Sequence, residues 1–421
     1  MSAAPVNQKM IFADENISLA ATPPLSGLLA IIGGILTLAA ILGGFVSDPS
    51  IALHALHTGF LLAIGFPLGA LVLTMILHAT GAGWAGSIRR QLENMMSLIW
   101  VGFGFFILVV LLQIVYNTFQ FGETGKYAPY LWNWMNPVYV EGDALIDGKR
   151  PFLNEIRFGV FHIVYALIWV VLISALIGYS KAQDRDGDPK HTVKASRLSC
   201  IGLPLFAFSV AFASYDWIMA LDFHWFSTMF GVYFFCGCIV SAIALTLITM
   251  LVLRGTGKVA GAFTDEHLHD LSKLMFAFIV FWGYITFSQY FLIWYANIPE
   301  ETMFFASRKD AGTTWHILSW AIPIGHFIVP FLLILPRPAR RNPAIMLFVA
   351  AWMIVFHILD WYWLVRPEVH NSTSFHPLDV AGIGGPMLLF LGLYMQKVAS
   401  GPLIPLRDPR TNETLAHKNY V

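Results

Sequence analysis

The chain has 421 residues, of which 57% are hydrophobic and only 12% charged, with a mean hydropathy of +0.66. Soluble domains carry about 25% charged residues, so a soluble globular fold is excluded. The 25 basic residues balance 25 acidic ones, which removes the electrostatic case for nucleic acid.

An aromatic content of 15% also excludes disorder, which lacks the apolar mass to collapse. The three cysteines, Cys200, Cys236 and Cys238, form no CxxC or CxxCH pattern. That rules out an ordinary iron–sulfur cluster, covalent haem attachment and the usual zinc pairs. Any redox centre the chain serves is therefore non-covalent or belongs to another chain, and no metal ligand set is read from the sequence.

A helix needs about 20 apolar residues to cross the hydrocarbon of a bilayer. Ten such runs occur, over 25–46, 52–79, 95–116, 156–179, 197–219, 225–253, 271–296, 313–335, 343–364 and 380–396. Long apolar runs between short polar loops predict an all-α polytopic membrane protein and exclude a β-barrel, whose strands are shorter and alternate in polarity. The first run is too long for a signal-peptide core, follows acidic Asp14 and Glu15, and precedes no small-residue cleavage site. The chain divides into a tail over 1–24, a ten-span membrane domain over 25–396 and a tail over 397–421.

Basic residues set the orientation. With the N-terminus inside, 18 of the 25 Lys and Arg residues fall on the cytoplasmic side and 7 outside, which predicts both termini in the cytoplasm. The longest loop, about 118–155, then lies outside. Its Trp132, Trp134, Tyr127, Tyr130 and Tyr139 read as anchors at the headgroup level.

An ionisable residue at mid-span costs roughly 2.5–3.5 kcal/mol on insertion scales, so each one is a candidate. His54 and His57 open the second span, and His162 lies early in the fourth. Asp216 ends the fifth, with Asp222 and His224 in the short turn after it. Glu300 and Glu301 follow the seventh span, His316 opens the eighth, and His357 and Asp360 close the ninth. All lie in the outer third. In one bundle they could line an aqueous pocket or a proton path; separately they would be solvated residues at the headgroup level. His357 and Asp360, three apart, share a helix face, as do His54 and His57.

The densest stretch runs from Ser214 to Thr228 and places two carboxylates, an imidazole and two indoles across one helix–turn–helix. A half-buried Asp216 without a compensating cation would have a raised pKa and could carry a proton. Asp222 is placed to cap the sixth span. Gln289, inside the seventh span, either bonds a neighbouring helix or belongs to the site. Pro299 ends that span. In the eighth span Pro323 and Pro330 flank His326, the one histidine near mid-depth. It reads as a hydrogen-bonded residue at a kink or as a relay towards the cytoplasmic half, where Asp270 and Lys273 begin the seventh span. Gly65 and Gly69 form a GxxxG in the second span that favours close helix packing. Cys236 and Cys238 read as small apolar residues. Nothing pairs His57, His162, His316 and His357 as axial haem ligands.

These same stretches carry a resemblance. Ser214-Tyr215-Asp216-Trp217 leads into His224-Trp225-Phe226-Ser227-Thr228-Met229-Phe230-Gly231-Val232-Tyr233. Phe281-Trp282 and Ser288-Gln289-Tyr290 follow, then Ile293-Trp294-Tyr295-Ala296-Asn297-Ile298-Pro299-Glu300-Glu301. Together they resemble the smaller polysulfide-reductase-type membrane subunit, often called quinone-binding subunit 2, of bacterial alternative complex III, a quinol:cytochrome c oxidoreductase. The resemblance covers the ten-span topology. It implies two four-helix bundles, spans two to five and six to nine, with two flanking helices, in the bacterial inner membrane. It also implies partners: a larger paralogous membrane subunit, an iron–sulfur subunit and haem c subunits. Haem c and iron–sulfur clusters would belong to those partners, and quinone or menaquinone is the ligand to consider for this chain. The expected function is a subunit that is not catalytic alone, supporting assembly together with proton transfer or quinone interaction. A secondary transporter is compatible with ten spans and a kinked eighth, but would place its polar groups near mid-membrane. A passive anchor would leave every polar residue structural.

Overall fold

A computed structural model of the protein describes residues 8–370 and 373–419, with side chains from residue 10 onward. The side chain of Lys9, one of the basic residues counted above, lies outside the described residues, as does the start of the N-terminal tail. The described residues form helices and no strand. Among the described residues, ten helices are long and apolar enough to cross a membrane: α1 (Pro24–Val46), α2 (Pro49–Ala79), α3 (Gly83–Thr118), α4 (Glu155–Asp186), α5 (Lys190–Leu221), α6 (Phe230–Gly255), α7 (Asp265–Ala296), α8 (Thr314–Ile334), α9 (Pro343–Glu368) and α10 (Pro377–Ala399). Each apolar run becomes one helix. Several helices outrun their apolar stretch by a turn or more, because polar residues continue a helix once it has left the hydrocarbon. At the start of α6 the reverse holds. Residues 225–227 are irregular, 228–229 turn, and the helix begins only at Phe230.

Helices α2 and α6 are the axis of the molecule, with 94% and 83% of their most apolar stretches buried, against 17% for α1. Helix α2 packs on α3 and α5, α5 on α4, and this makes the first bundle. Helix α6 packs on α7 and α9, and α8 on α7 and α9, which makes the second. Helices α1 and α10 pair with each other along one side of α2. Lipid tails are as apolar as leucine, so helices in a bilayer associate through close packing rather than hydrophobic burial. Small residues make that approach here. A methyl group at Gly69 would lie 1.9 Å from the carbonyl oxygen of Cys238, so α2 and α6 touch backbone to backbone. Gly65 gives the same room to the Trp361 ring of α9.

One end of the bundle is closed by polar contacts that tie both tails to the loops. Leu403 N donates to Ile17 O at 2.7 Å and Val259 N to Asn16 O at 2.9 Å, so the N- and C-terminal segments lie on the same side. Beneath them Arg89 pairs with Glu93 (3.2 Å) and Asp408, and Arg90 with Glu93 (2.7 Å) and Asp184. Gln91 donates to Leu403 O at 2.7 Å and Thr414 to Gly83 O at 2.6 Å. Lys273 and His417 both pair with Asp270, and Lys273 also donates to Asn419 at 3.0 Å. Lys273 is thus part of this closure.

At the other end the long loop folds back over the first bundle. Trp132 and Trp134, expected at the headgroup level, are buried instead. Gln113 draws the loop in by accepting the Leu131 N–H at 2.8 Å.

Candidate functional site

The polar residues opposite the tails do not line one pocket. They fall into separate groups, two of which surround a buried carboxylate inside a bundle, one per bundle; a third buried carboxylate, Asp379 of the flanking α10, pairs with Arg366 at 2.8 Å.

In the first bundle Asp216 sits at the last turn of the α-helical part of α5. Arg157, one turn into α4, forms an ion pair with its Oδ1, and the Tyr165 hydroxyl donates to Oδ2 at 3.0 Å. Arg157 and Tyr165 are eight residues apart, about two turns, so one face of α4 supplies both. The Arg157 guanidinium also lies 3.7 Å above the Phe152 ring. The cation that the sequence left open is therefore present, and the carboxylate is fully engaged. The surrounding residues are also hydrogen-bonded, although His57 Nδ1 and Arg157 Nη2 have no partner among the described residues. His162 donates through Nδ1 to Phe158 O (2.6 Å) and accepts the Trp217 indole N–H at Nε2 (2.8 Å), which fixes one neutral tautomer. His57 donates from Nε2 to Trp217 O at 2.8 Å, and Trp132 donates to Asp216 O at 2.8 Å.

The second bundle is different. Asp360, on α9, accepts the Tyr233 hydroxyl of α6 at Oδ1, while Oδ2 has no partner of hydrogen-bond geometry. One turn away on α9, His357 has neither ring nitrogen bonded, and the same is true of His326 on α8. All three residues are buried, and one donor atom from each lies within 4.8 Å of the other two. The His326 ring lies 3.9 Å from that of Trp282 of α7, tilted by 36°, and His357 lies 4.2 Å from Trp361. No cation among the described residues pairs with the carboxylate. The local chain explains how His326 arrives there. Residues Pro323–Ile328 form a π-helical turn, and the Gly325 carbonyl accepts the Trp352 indole N–H at 2.7 Å. Such a turn re-aims a side chain, and irregular backbone at membrane depth persists where protein satisfies it.

The remaining candidates lie apart from both carboxylates. His224 in the α5–α6 turn donates towards Asp143 of the long loop (2.7 Å), and its backbone N–H donates to Asp222 at 3.1 Å. Asp222 therefore closes a turn well before α6 rather than capping that helix. Its carboxylate bond, then burial against it, then Asp143 act on His224, and the net effect raises the imidazole pKa above 6.5. Burial opposes ionisation of Asp222 and Asp143, but the bonds from His224, joined at Asp143 by backbone amides and at Asp222 by the Arg308 charge, together hold both below the ordinary 3.8. Gln289 accepts the Ser227 hydroxyl at 3.0 Å and so ties α7 to the α5–α6 turn. Glu300 and Glu301 occupy the first turn of a short helix, Pro299–Ala306, after Asn297 takes a left-handed conformation at φ 51°. Glu300 is exposed and Glu301 half-buried. His316 donates to Lys309 O at 3.0 Å.

Sequence reasoning named every carboxylate and histidine in both groups, and the His357–Asp360 pairing by spacing. It missed Arg157 and Tyr165, and it missed Tyr233 and Trp282 as neighbours of the Asp360 group. An arginine at the very start of a span, two turns before a tyrosine, was the available signal for the first pair. No protein-family model matches the chain, and no curated protein matches it significantly.

Proposed function

We propose that this multi-pass protein is a subunit, without a redox centre of its own, of a bacterial inner-membrane quinol:electron-acceptor oxidoreductase of the alternative complex III type. In this reading its second bundle handles protons. The supporting observation is the Asp360 group: a carboxylate, two imidazoles and a tyrosine hydroxyl, buried between four spanning helices, with five side-chain N and O atoms unbonded. A carboxylate among neutral donors can take up and release a proton without breaking an ion pair. Asp216, held by Arg157 and Tyr165, cannot.

The strings that resemble the alternative complex III subunit support the assignment. They contain Tyr233 and Trp282, which border the Asp360 group, and they meet at the same end of the molecule through Ser227 and Gln289. The excess of basic residues beside the closed end supports a cytoplasmic location for both tails. The carboxylate group would then face the outer half, the side to which quinol oxidation releases protons. An iron–sulfur subunit, haem c subunits and a larger paralogous membrane subunit are the proposed partners.

Affinity purification of the tagged chain in mild detergent tests the assembly. Recovery with iron–sulfur and haem c subunits is the expected result. Recovery of the folded chain alone would overturn it and favour a transporter.

A further inference from the structure

We propose that His326, His357 and Asp360 form a binding site for a divalent transition-metal cation of the Zn2+ class. Three observations lead there. The donor set is two imidazoles and one carboxylate, the mixture of borderline nitrogen and hard oxygen that Zn2+ accepts, with a fourth position open. The donor atoms converge from two helices to within 4.8 Å of one another. Four ring nitrogens and Asp360 Oδ2 have no partner of hydrogen-bond geometry among the described residues although all three residues are buried, whereas buried polar side chains are as a rule bonded.

Geometry and charge agree with this. Zn–N and Zn–O bonds of about 2.1 Å in a tetrahedron place ligand atoms about 3.4 Å apart. The three donors must therefore approach by at most about 1.4 Å, within the reach of imidazole rotation about its own side-chain bonds. His326 sits on a π-helical turn, and His357 and Asp360 lie one helical turn apart on the same face. Metal-bound carboxylates are themselves hydrogen-bonded, and Tyr233 already donates to the other oxygen of Asp360. A dication would also give Asp360 the countercharge that Arg157 gives Asp216. The site does not depend on the chain belonging to a redox assembly. Where that assignment also holds, metal and proton contend for the same atoms.

The test uses the full chain in detergent, stripped with a chelator, loaded with Zn2+ and passed through metal-free gel filtration. The expected result is one equivalent of Zn2+ retained per chain. X-ray absorption should show a first shell of nitrogen and oxygen, with the outer scattering of two imidazoles. His326→Gln and His357→Gln should each lose the bound equivalent, while half-buried His316→Gln, away from the site, keeps it. Tyr233→Phe keeps the three ligands and should weaken affinity about tenfold, the usual effect of removing an outer-shell partner. No stoichiometric retention by the wild-type chain would overturn the site. So would sulfur in its first shell, or undiminished retention in folded His326→Gln and His357→Gln. The absorption spectrum comes from the wild-type chain and stays decisive if a variant fails to fold. None of these outcomes depends on which proteins co-purify.

Discussion

Each four-helix bundle carries one buried carboxylate beside a tyrosine, and the two are finished differently. Asp216 has a guanidinium and a hydroxyl, and the histidine stacked nearby is bonded at both nitrogens. Asp360 has neutral donors alone, the Tyr233 hydroxyl with the Trp282 indole beside it, and its two histidines have no hydrogen bond among the described residues. The same residue types thus make a structural clasp in one place and an incomplete coordination shell in the other. The difference lies in the partners, not in burial, since both carboxylates are buried. Burial of an ionisable side chain in a membrane therefore says little by itself about function. What separates the two sites is whether the fold has already bonded the group.

The contrast can be broken most severely at the clasp. Asp216→Asn leaves the Arg157 charge without its partner, and breaking a buried pair costs about 3–5 kcal/mol. Thermal unfolding in detergent should show that loss, and Arg157→Met combined with Asp216→Asn should recover part of it. A negligible change in the single variant would mean that the pair is no clasp. Gly69→Ala is expected to cost about 1–3 kcal/mol by overpacking, because the new methyl meets the Cys238 carbonyl. If the two sites are independent, this change should leave Zn2+ retention at the Asp360 group intact, which the same gel-filtration assay reads.

In the chelator-stripped chain Asp360→Asn strands no cation, so its cost in unfolding should be about 1 kcal/mol, the scale of one hydrogen bond. A loss as large as that of Asp216→Asn would erase the distinction.

The smallest effect is expected at the surface, where the long loop meets the α5–α6 turn. The folded state raises the pKa of His224, so the stability it contributes is full below 6.5 and is lost as pH rises through the folded value. Asp143 and Asp222 are depressed, so theirs is present above 3.8 and lost as pH falls through their folded values. Loop docking should therefore be tightest between these limits. Hydrogen-exchange protection over 143–150 should decline above that window, and His224→Gln should flatten the profile.

Much of this was legible in the sequence. Apolar length alone located all ten helices, because crossing the hydrocarbon is a one-dimensional requirement. The charge bias predicted that the tails share a side, and the Leu403–Ile17 hydrogen bond places them together. Depth along a span was also readable, which is why His57, His162, Asp216, His357 and Asp360 were all singled out. Azimuth was not. Whether Asp216 faces Arg157, or His326 faces His357, depends on how helices rotate against one another. That rotation is set by small contacts such as Gly69 on Cys238 and by the π-helical turn at Pro323. Trp132 and Trp134 show the same limit, since a loop long enough to fold back can bury residues that composition assigns to the interface.

The most direct test is the number of protons released per electron by the assembled complex carrying Asp360→Asn, with Asp216→Asn in parallel. If the second bundle conducts protons, Asp360→Asn should leave assembly intact and lower the yield to the value set by quinol oxidation itself, as many protons as electrons. An unchanged yield in a complex known to exceed that value would contradict the proposed role and leave the chain a passive anchor.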